Sequence, residues 1–162
     1  MQSNVISSAE TFAANRAVGA VRFDVHLKDG ATRRRELHES GSLRVRFPSP
    51  EQQGLSAVFV NTAGGIAGGD RFDIDIAAND GAHLTVTTAA AEKIYRSHGP
   101  DAQVNIALRA GADARLAWLP QETILFDRAR VARRIDIDLS GNASLLLCEI
   151  VVFGRAAMGE VM

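Results

Sequence analysis

One cysteine, Cys148, stands in 162 residues. A lone thiol excludes an internal disulfide and any Cys-based zinc site, and it fits a reducing compartment. Cys148 lies in the apolar run Leu145 to Phe153, so a buried structural thiol is expected. That run is broken by Glu149 and is too short to span a bilayer. The N-terminal residues lack the apolar segment of a secretion signal. A soluble, cytoplasmic chain with no membrane partner is therefore expected. Lysine is scarce as well: Lys28 and Lys93 are the only two, and arginine supplies the other 16 of the 18 basic residues. The net charge of -1 argues against a general nucleic-acid binder.

Catalytic signatures are also missing. The chain has no Gly-x-Ser-x-Gly elbow, no His-x-His and no HExxH. His26, His38, His83 and His98 are scattered and read as surface or turn residues. Cys148 has no histidine nearby in sequence, and apolar surroundings raise a thiol pKa rather than lower it.

What is present is a glycine-rich stretch between two strand patterns. Asn61-Thr62-Ala63-Gly64-Gly65-Ile66-Ala67-Gly68-Gly69-Asp70 follows the apolar segment Leu55 to Val60. It precedes Phe72, Ile74 and Ile76, which alternate with Arg71, Asp73 and Asp75. Paired glycines suit a tight, closely approached bend. A phosphate loop would need Lys-Ser or Lys-Thr and then a helix, and here Asp70 and a strand follow. The dinucleotide fingerprint fails because Ile66 takes its second glycine position. A structural bend is the favoured reading.

Residues 1–16 are polar and alanine-rich and form a flexible N-terminal segment. Within it Ser7 and Glu10 have capping-box spacing, compatible with a short helical turn from Ala9. Strand alternation then begins with Val21, Phe23, Val25 and Leu27, and Asp29-Gly30 signals a turn. Arg33-Arg34-Arg35 reads as a solvated strand edge. Leu43, Val45 and Phe47 form another strand, ended by Pro48 and Pro50.

The second half carries a repeat. Gly81, Gly111 and Gly141 lie 30 residues apart (81 to 111 to 141), each between an alternating strand and a further apolar segment. The pattern predicts a hairpin about each glycine followed by an excursion, stacked at a period near that length. The expected fold is all-β: stacked strand or hairpin units, β-helix-like or a sandwich, with at most short helices. If the units stack, the excursions 87–97, 118–127 and 149–155 share one face. Carboxylates occur there in unusual company. Glu122 follows Trp118-Leu119-Pro120-Gln121, and Glu149 interrupts an apolar strand. A charge in such a strand costs several kcal/mol unless it is paired or wet. Two readings of Glu149 stand side by side: an ion pair with one of the arginines, or a carboxylate facing an internal wet cavity.

Five segments together resemble the urease accessory protein family UreD, also called UreH. They are the glycine stretch 61–70, Gly41 to Pro48, Thr87-Thr88 through Lys93-Ile94-Tyr95-Arg96-Ser97, Trp118 to Asp127, and Phe153 to Glu160. The resemblance covers about residues 17 to 160 and makes 17–162 one UreD-like β domain, incomplete at its C-terminus. It implies a non-enzymatic scaffold that binds apo-urease and UreF, and through UreF the GTPase UreG, and that helps deliver nickel to the urease active site. It implies no tightly bound cofactor, only nickel in transit. On this resemblance Asp70, Glu122, Asp127, Glu149 and Glu160 are candidates for transient nickel contacts. Tyr95, Arg96, Trp118, Gln121 and Arg155 are candidates for partner contacts. An ion in transit needs weak, multi-site oxygen contacts if it is to leave again.

Two departures stand out. Ala89 occupies a place where the family usually has Gln, which removes an amide donor and acceptor. The family also continues well beyond Met158-Gly159-Glu160. A strand stack stopped there leaves an unpaired edge and an apolar face, so low solubility or obligate association is expected of the isolated chain. The alternatives to a nickel scaffold are a generic β-scaffold for protein partners and, behind it, an enzyme binding a phosphorylated ligand at Gly64 to Gly69. An arginine-based nucleic-acid binder through Arg33 to Arg35 and Arg128 to Arg134 is the weakest.

Overall fold

Residues 71 to 153 wind three times through the same three strand positions. In the computed structural model, which describes residues 15–48, 54–155 and 158–160, the first turn is β5 (Arg71–Ala78), β6 (His83–Thr88) and β7 (Glu92–Ile94). The second is β8 (Ala102–Ala110), β9 (Arg115–Trp118) and β10 (Thr123–Leu125). The third is β11 (Val131–Leu139), β12 (Ser144–Leu147) and β13 (Val151–Phe153). Ahead of them come β1 (Val18–Lys28), β2 (Ala31–Gly41), β3 (Leu43–Arg46) and β4 (Leu55–Asn61). Corresponding strands pair in parallel, giving sheets ordered β11-β8-β5-β1-β2, β12-β9-β6-β4-β3 and β13-β10-β7. Among the named strands of the described residues, only the β1–β2 and β3–β4 pairs are antiparallel. The result is a β-solenoid, the β-helix-like form of the expected stack. The N-terminal segment 1–16, including the Ser7–Glu10 spacing, falls almost wholly outside the described residues, as does Pro50.

The expected hairpins are corrected to corners. The strands on either side of Gly81, Gly111 and Gly141 lie in different sheets and do not pair with each other. The three glycines are not equivalent either. Ile74 pairs with Ile106 and Ile106 with Ile135, so the period is 32 residues (74 to 106) and then 29 (106 to 135). In register, Gly81 corresponds to Asp113, and both take the left-handed conformation, with φ of 68° and 60°. Aspartate tolerates that region better than most residues. Gly111 serves close approach instead: a Cβ there would lie 2.2 Å from Asp80 Oδ1 and 2.8 Å from the Asp80 amide nitrogen.

Alternation along each strand sends one set of side chains inward, where registered neighbours stack into columns. Val21, Ile74, Ile106 and Ile135 form one column, and Phe23, Ile76, Leu108 and Ile137 the next. Leu55, Leu84, Leu116 and Leu145 face them from the second sheet. Through the second turn the columns are buried, Ile74 only partly, and they open in the third, where Ile137 is 48% exposed. Cys148 follows the same trend. It is exposed, which corrects the expected buried thiol: it lies in the last turn, over which no described strand packs. The Asp29-Gly30 turn forms as expected, both residues at positive φ, and closes β1 against β2. Arg33 to Arg35 lie exposed on β2, the edge strand of its sheet.

Candidate functional site

The glycine stretch makes the third side of the turn that precedes β5. Ile66 bridges in parallel to Ile94 and is buried. Asp70 is 4% exposed, and its two carboxylate oxygens accept from the amides of Ala17 (2.9 Å) and Ala67 (2.8 Å). This carboxylate staples the loop to the start of β1 and β5. Gly65 lies under the Tyr95 ring, where a Cβ would meet Cε2 at 2.4 Å, and Gly68 lies under Ser97. The glycines therefore admit the next turn's excursion. Strand β5, not a helix, follows the loop.

The three excursions contribute β7, β10 and β13, which form the smallest sheet. Beneath it lies a cavity of about 330 Å³. Its polar lining comes from Asn61, Thr88, Glu92, Lys93, Gln121, Thr123 and Arg133; Phe72, Ile106 and Trp118 supply apolar walls. Asn61 Nδ2 donates to Glu92 Oε1 (3.3 Å) and Oε2 (3.4 Å), and to the Gly65 carbonyl (3.2 Å). The Glu92 amide donates to the Glu122 carbonyl at 2.8 Å, which fixes this part of the wall. Burial pushes the Glu92 carboxyl above its ordinary pKa; the Asn61 hydrogen bond and the Arg133 charge oppose that shift without reversing it. Ala89 also lines the cavity and brings no polar side chain.

Arg133 occupies an inward column whose other members are Gly19, Phe72 and Val104. Its guanidinium pairs with Glu149, Nε reaching Oε2 at 3.2 Å and a terminal nitrogen binding Oε1. Trp118 Nε1 donates to the same carboxylate at 3.0 Å. Burial raises the Glu149 pKa, but these hydrogen bonds and the Arg133 charge outweigh it and hold the carboxyl below its usual range. Of the two readings of Glu149, the ion pair is the one realised.

The other candidate acids are separate. Glu122 lies at the half-buried entry to β10. Asp127 is 3.7 Å from Arg96 and 3.8 Å from Arg128. Glu160 clamps Arg155. Asp70, Glu122, Asp127, Glu149 and Glu160 are thus not gathered at one point. Among the described residues no group of three or more His, Cys, Asp or Glu could hold a metal ion. The cavity offers single oxygen contacts rather than a closed coordination shell.

Of the candidate partner residues, Tyr95, Arg96 and Arg155 gather at one corner. The Tyr95 hydroxyl donates to the Gly64 carbonyl (3.0 Å), and its ring meets Phe126 edge-on at 5.3 Å. Arg155 lies 3.9 Å over Phe126. Gln121 is exposed at the cavity. Trp118 is 2% exposed and packs against Phe59, so it belongs to the core and the cavity wall rather than to an open surface.

Sequence reasoning passed over Glu92 and Arg133. A signal for Arg133 existed: it shares the strand parity of Val131, Ile135 and Ile137, which marks an inward arginine. Glu92, between Ala91 and Lys93, carried no such mark.

Parallel strands stacked in three sheets, with a cavity beneath the smallest of them, define a β-solenoid protein. The chain belongs to the UreD urease accessory protein family, whose model matches residues 17–162. It is 72% identical to the urease accessory protein UreD of Bradyrhizobium diazoefficiens strain USDA 110 over all of this chain and 59% of the relative. It is 76% identical to UreD of Rhodopseudomonas palustris strain BisB18 over 96% of this chain and 56% of the relative. The chain therefore spans somewhat more than half the length of these curated relatives. Among the described residues no helix is long and apolar enough to cross a membrane.

Proposed function

We propose that the chain is a non-catalytic scaffold in urease maturation. It binds apo-urease and UreF, with UreG joining through UreF, in the cytoplasm, and it helps nickel reach the urease active site. The observation that carries this reading is the internal cavity, with Glu92, Asn61, Gln121 and Arg133 on its wall, inside a chain of the UreD family. One carboxylate hydrogen-bonded by one amide favours a passing divalent cation without trapping it. Asp70 and Glu160, already held by local bonds, act in this reading as structural residues. Glu92 replaces them as the first candidate for contact with the ion.

The test is co-purification of UreF and apo-urease with and without this chain, followed by equilibrium dialysis against nickel for wild type, Glu92→Gln and Glu149→Gln. Association of the proteins, with weak nickel retention lost in Glu92→Gln, supports the proposal. Association with no nickel retention in wild type favours a protein scaffold without a metal role. That second reading draws on the scattered placement of the other acids.

A further inference from the structure

The two long sheets turn opposite chemistry outward. On the β11-β8-β5-β1 sheet the outer face is a lattice of charges. Asp75 accepts from Arg22 (3.1 Å) and Arg109, Asp73 from Asn105 (2.9 Å), and Arg134 pairs with Asp136 (2.8 Å). Such a face is satisfied in water. On the β9-β6-β4-β3 sheet and its continuation β12, no strand residue is acidic. Its outward columns run Ser56–Thr85–Ala117–Leu146 and Arg46–Val58–Thr87 in register, uncharged except for Arg46 on the edge strand, which Glu39 neutralises at 3.3 Å.

Cations stand only at the border of this face. His83 and Arg115 are registered neighbours on adjacent turns, and among the described residues neither pairs with a carboxylate. The Arg44 guanidinium donates to the carbonyls of Gly41 (2.8 Å) and Leu43 (2.6 Å), so its charge is not neutralised. A shallow groove of about 760 Å³ runs past His83, Thr85, Arg115 and Ala117. An uncharged centre with charge confined to the rim is the layout of a protein interface, and short side chains admit close approach. Glu39 of β2 neutralises Arg46 at this rim, but the charges of Arg44 and Arg115 are left over, and they select a partner whose own rim is acidic. Arg44 and Arg115 stand at opposite borders with no track of cations across the centre between them, which favours a protein over a nucleic acid.

We infer that the outer face of the β9-β6-β4-β3 sheet docks a protein partner that is apolar at its centre and acidic at its edge. The inference rests on the scaffold role proposed above and names the surface that role uses. It is distinct from the Tyr95–Arg155 corner.

The test measures association of the full chain with purified UreF and with apo-urease by biolayer interferometry, at low and high salt. The variants are Thr85→Arg and Ala117→Arg at the centre, Arg115→Glu at the rim, and Asn105→Arg on the opposite sheet as control; circular dichroism melts accompany each. Expected is a tenfold or greater loss for one partner in both centre variants, and a loss in Arg115→Glu that shrinks as salt rises. Asn105→Arg binds as wild type. Thr85 is exposed and tolerates substitution, so that variant decides if Ala117→Arg does not fold. If wild type binds and these variants bind equally well, the docking face is wrong and the scaffold role stands. If wild type binds neither protein, the scaffold role fails and this inference with it. Binding of a duplex oligonucleotide more tightly than either protein would also overturn it.

Discussion

Arg133 takes an inward position in the last turn of the solenoid and gives its charge to Glu149, which also holds the indole N–H of Trp118. The ion pair lies within the third turn, and the indole bond from Trp118 to the same carboxylate ties that turn to the second. An arginine in that column without Glu149 would be a half-buried, uncompensated cation. Glu149→Ala is therefore expected to lower stability by about 1.5–3 kcal/mol, the range for hydrogen bonds to charged groups. Urea unfolding of both proteins measures it; equal midpoints would show that the pair holds nothing.

Glu92 on the cavity wall and Glu149 in its ion pair respond to pH in opposite senses. Glu149 has a lowered folded pKa, so its contribution is full above the unfolded value and is lost as pH falls through the folded one. Glu92 has a raised folded pKa, so its ionisation removes stability as pH rises from the unfolded value through the folded one. Wild type minus Glu149→Gln should shrink on acidification. Glu92→Gln should gain on wild type as pH rises out of the acid range. Urea midpoints across pH 3 to 8, a window around the ordinary carboxylate pKa values, test both signs.

Trp118 is the single tryptophan, so intrinsic fluorescence reports on the cavity wall directly. Its emission should change as Glu149 protonates, and Glu149→Gln should abolish that transition. A transition that persists unchanged in the variant would detach the indole from this carboxylate.

Gly65 and Tyr95 compete for the same space, as the 2.4 Å approach of a Cβ to the ring shows. Gly65→Ala is expected to cost about 1–3 kcal/mol through overpacking and the positive φ. In Tyr95→Ala the clash is gone, so the double variant should be less destabilised than the two single effects added together. Additive thermal-unfolding losses would show that the ring does not set the requirement for glycine.

Ile137, Leu146 and Phe153 are exposed on the last turn, Phe153 by 70%. Apolar surface of this kind beside an unpaired strand edge promotes association. The isolated chain should sediment as mixed oligomers, and Ile137→Lys with Phe153→Lys should shift it toward monomer. A monodisperse wild-type monomer with a cooperative melt would contradict this.

Strand alternation was legible wherever one face is buried, which is why β1, β5, β8 and β11 stand where Val21, Phe72, Val104 and Ile135 place them. The stacking was legible in the period, but its phase was not. Asp113 does at its corner what Gly81 does at the preceding one, so counting glycines aligned Gly111 with the wrong position. Cys148 was misread because an apolar run implies burial only where something packs over it. Candidate acids were chosen for odd sequence company. Asp70, Glu149 and Glu160 owe that company to local partners: two amides, an arginine with an indole, and a neighbouring arginine. Glu92 faces the cavity because three excursions meet there, a relation carried by no single segment.

The most direct measurement is activation of apo-urease by nickel in a mixture of UreF, UreG and GTP. It is run with no added chain, with wild type, and with Glu92→Gln shown to assemble normally. The account predicts activation that depends on the chain and falls severalfold in Glu92→Gln while the assembly stays intact. Activation that is equal with and without the chain, or unchanged in the variant, would contradict it.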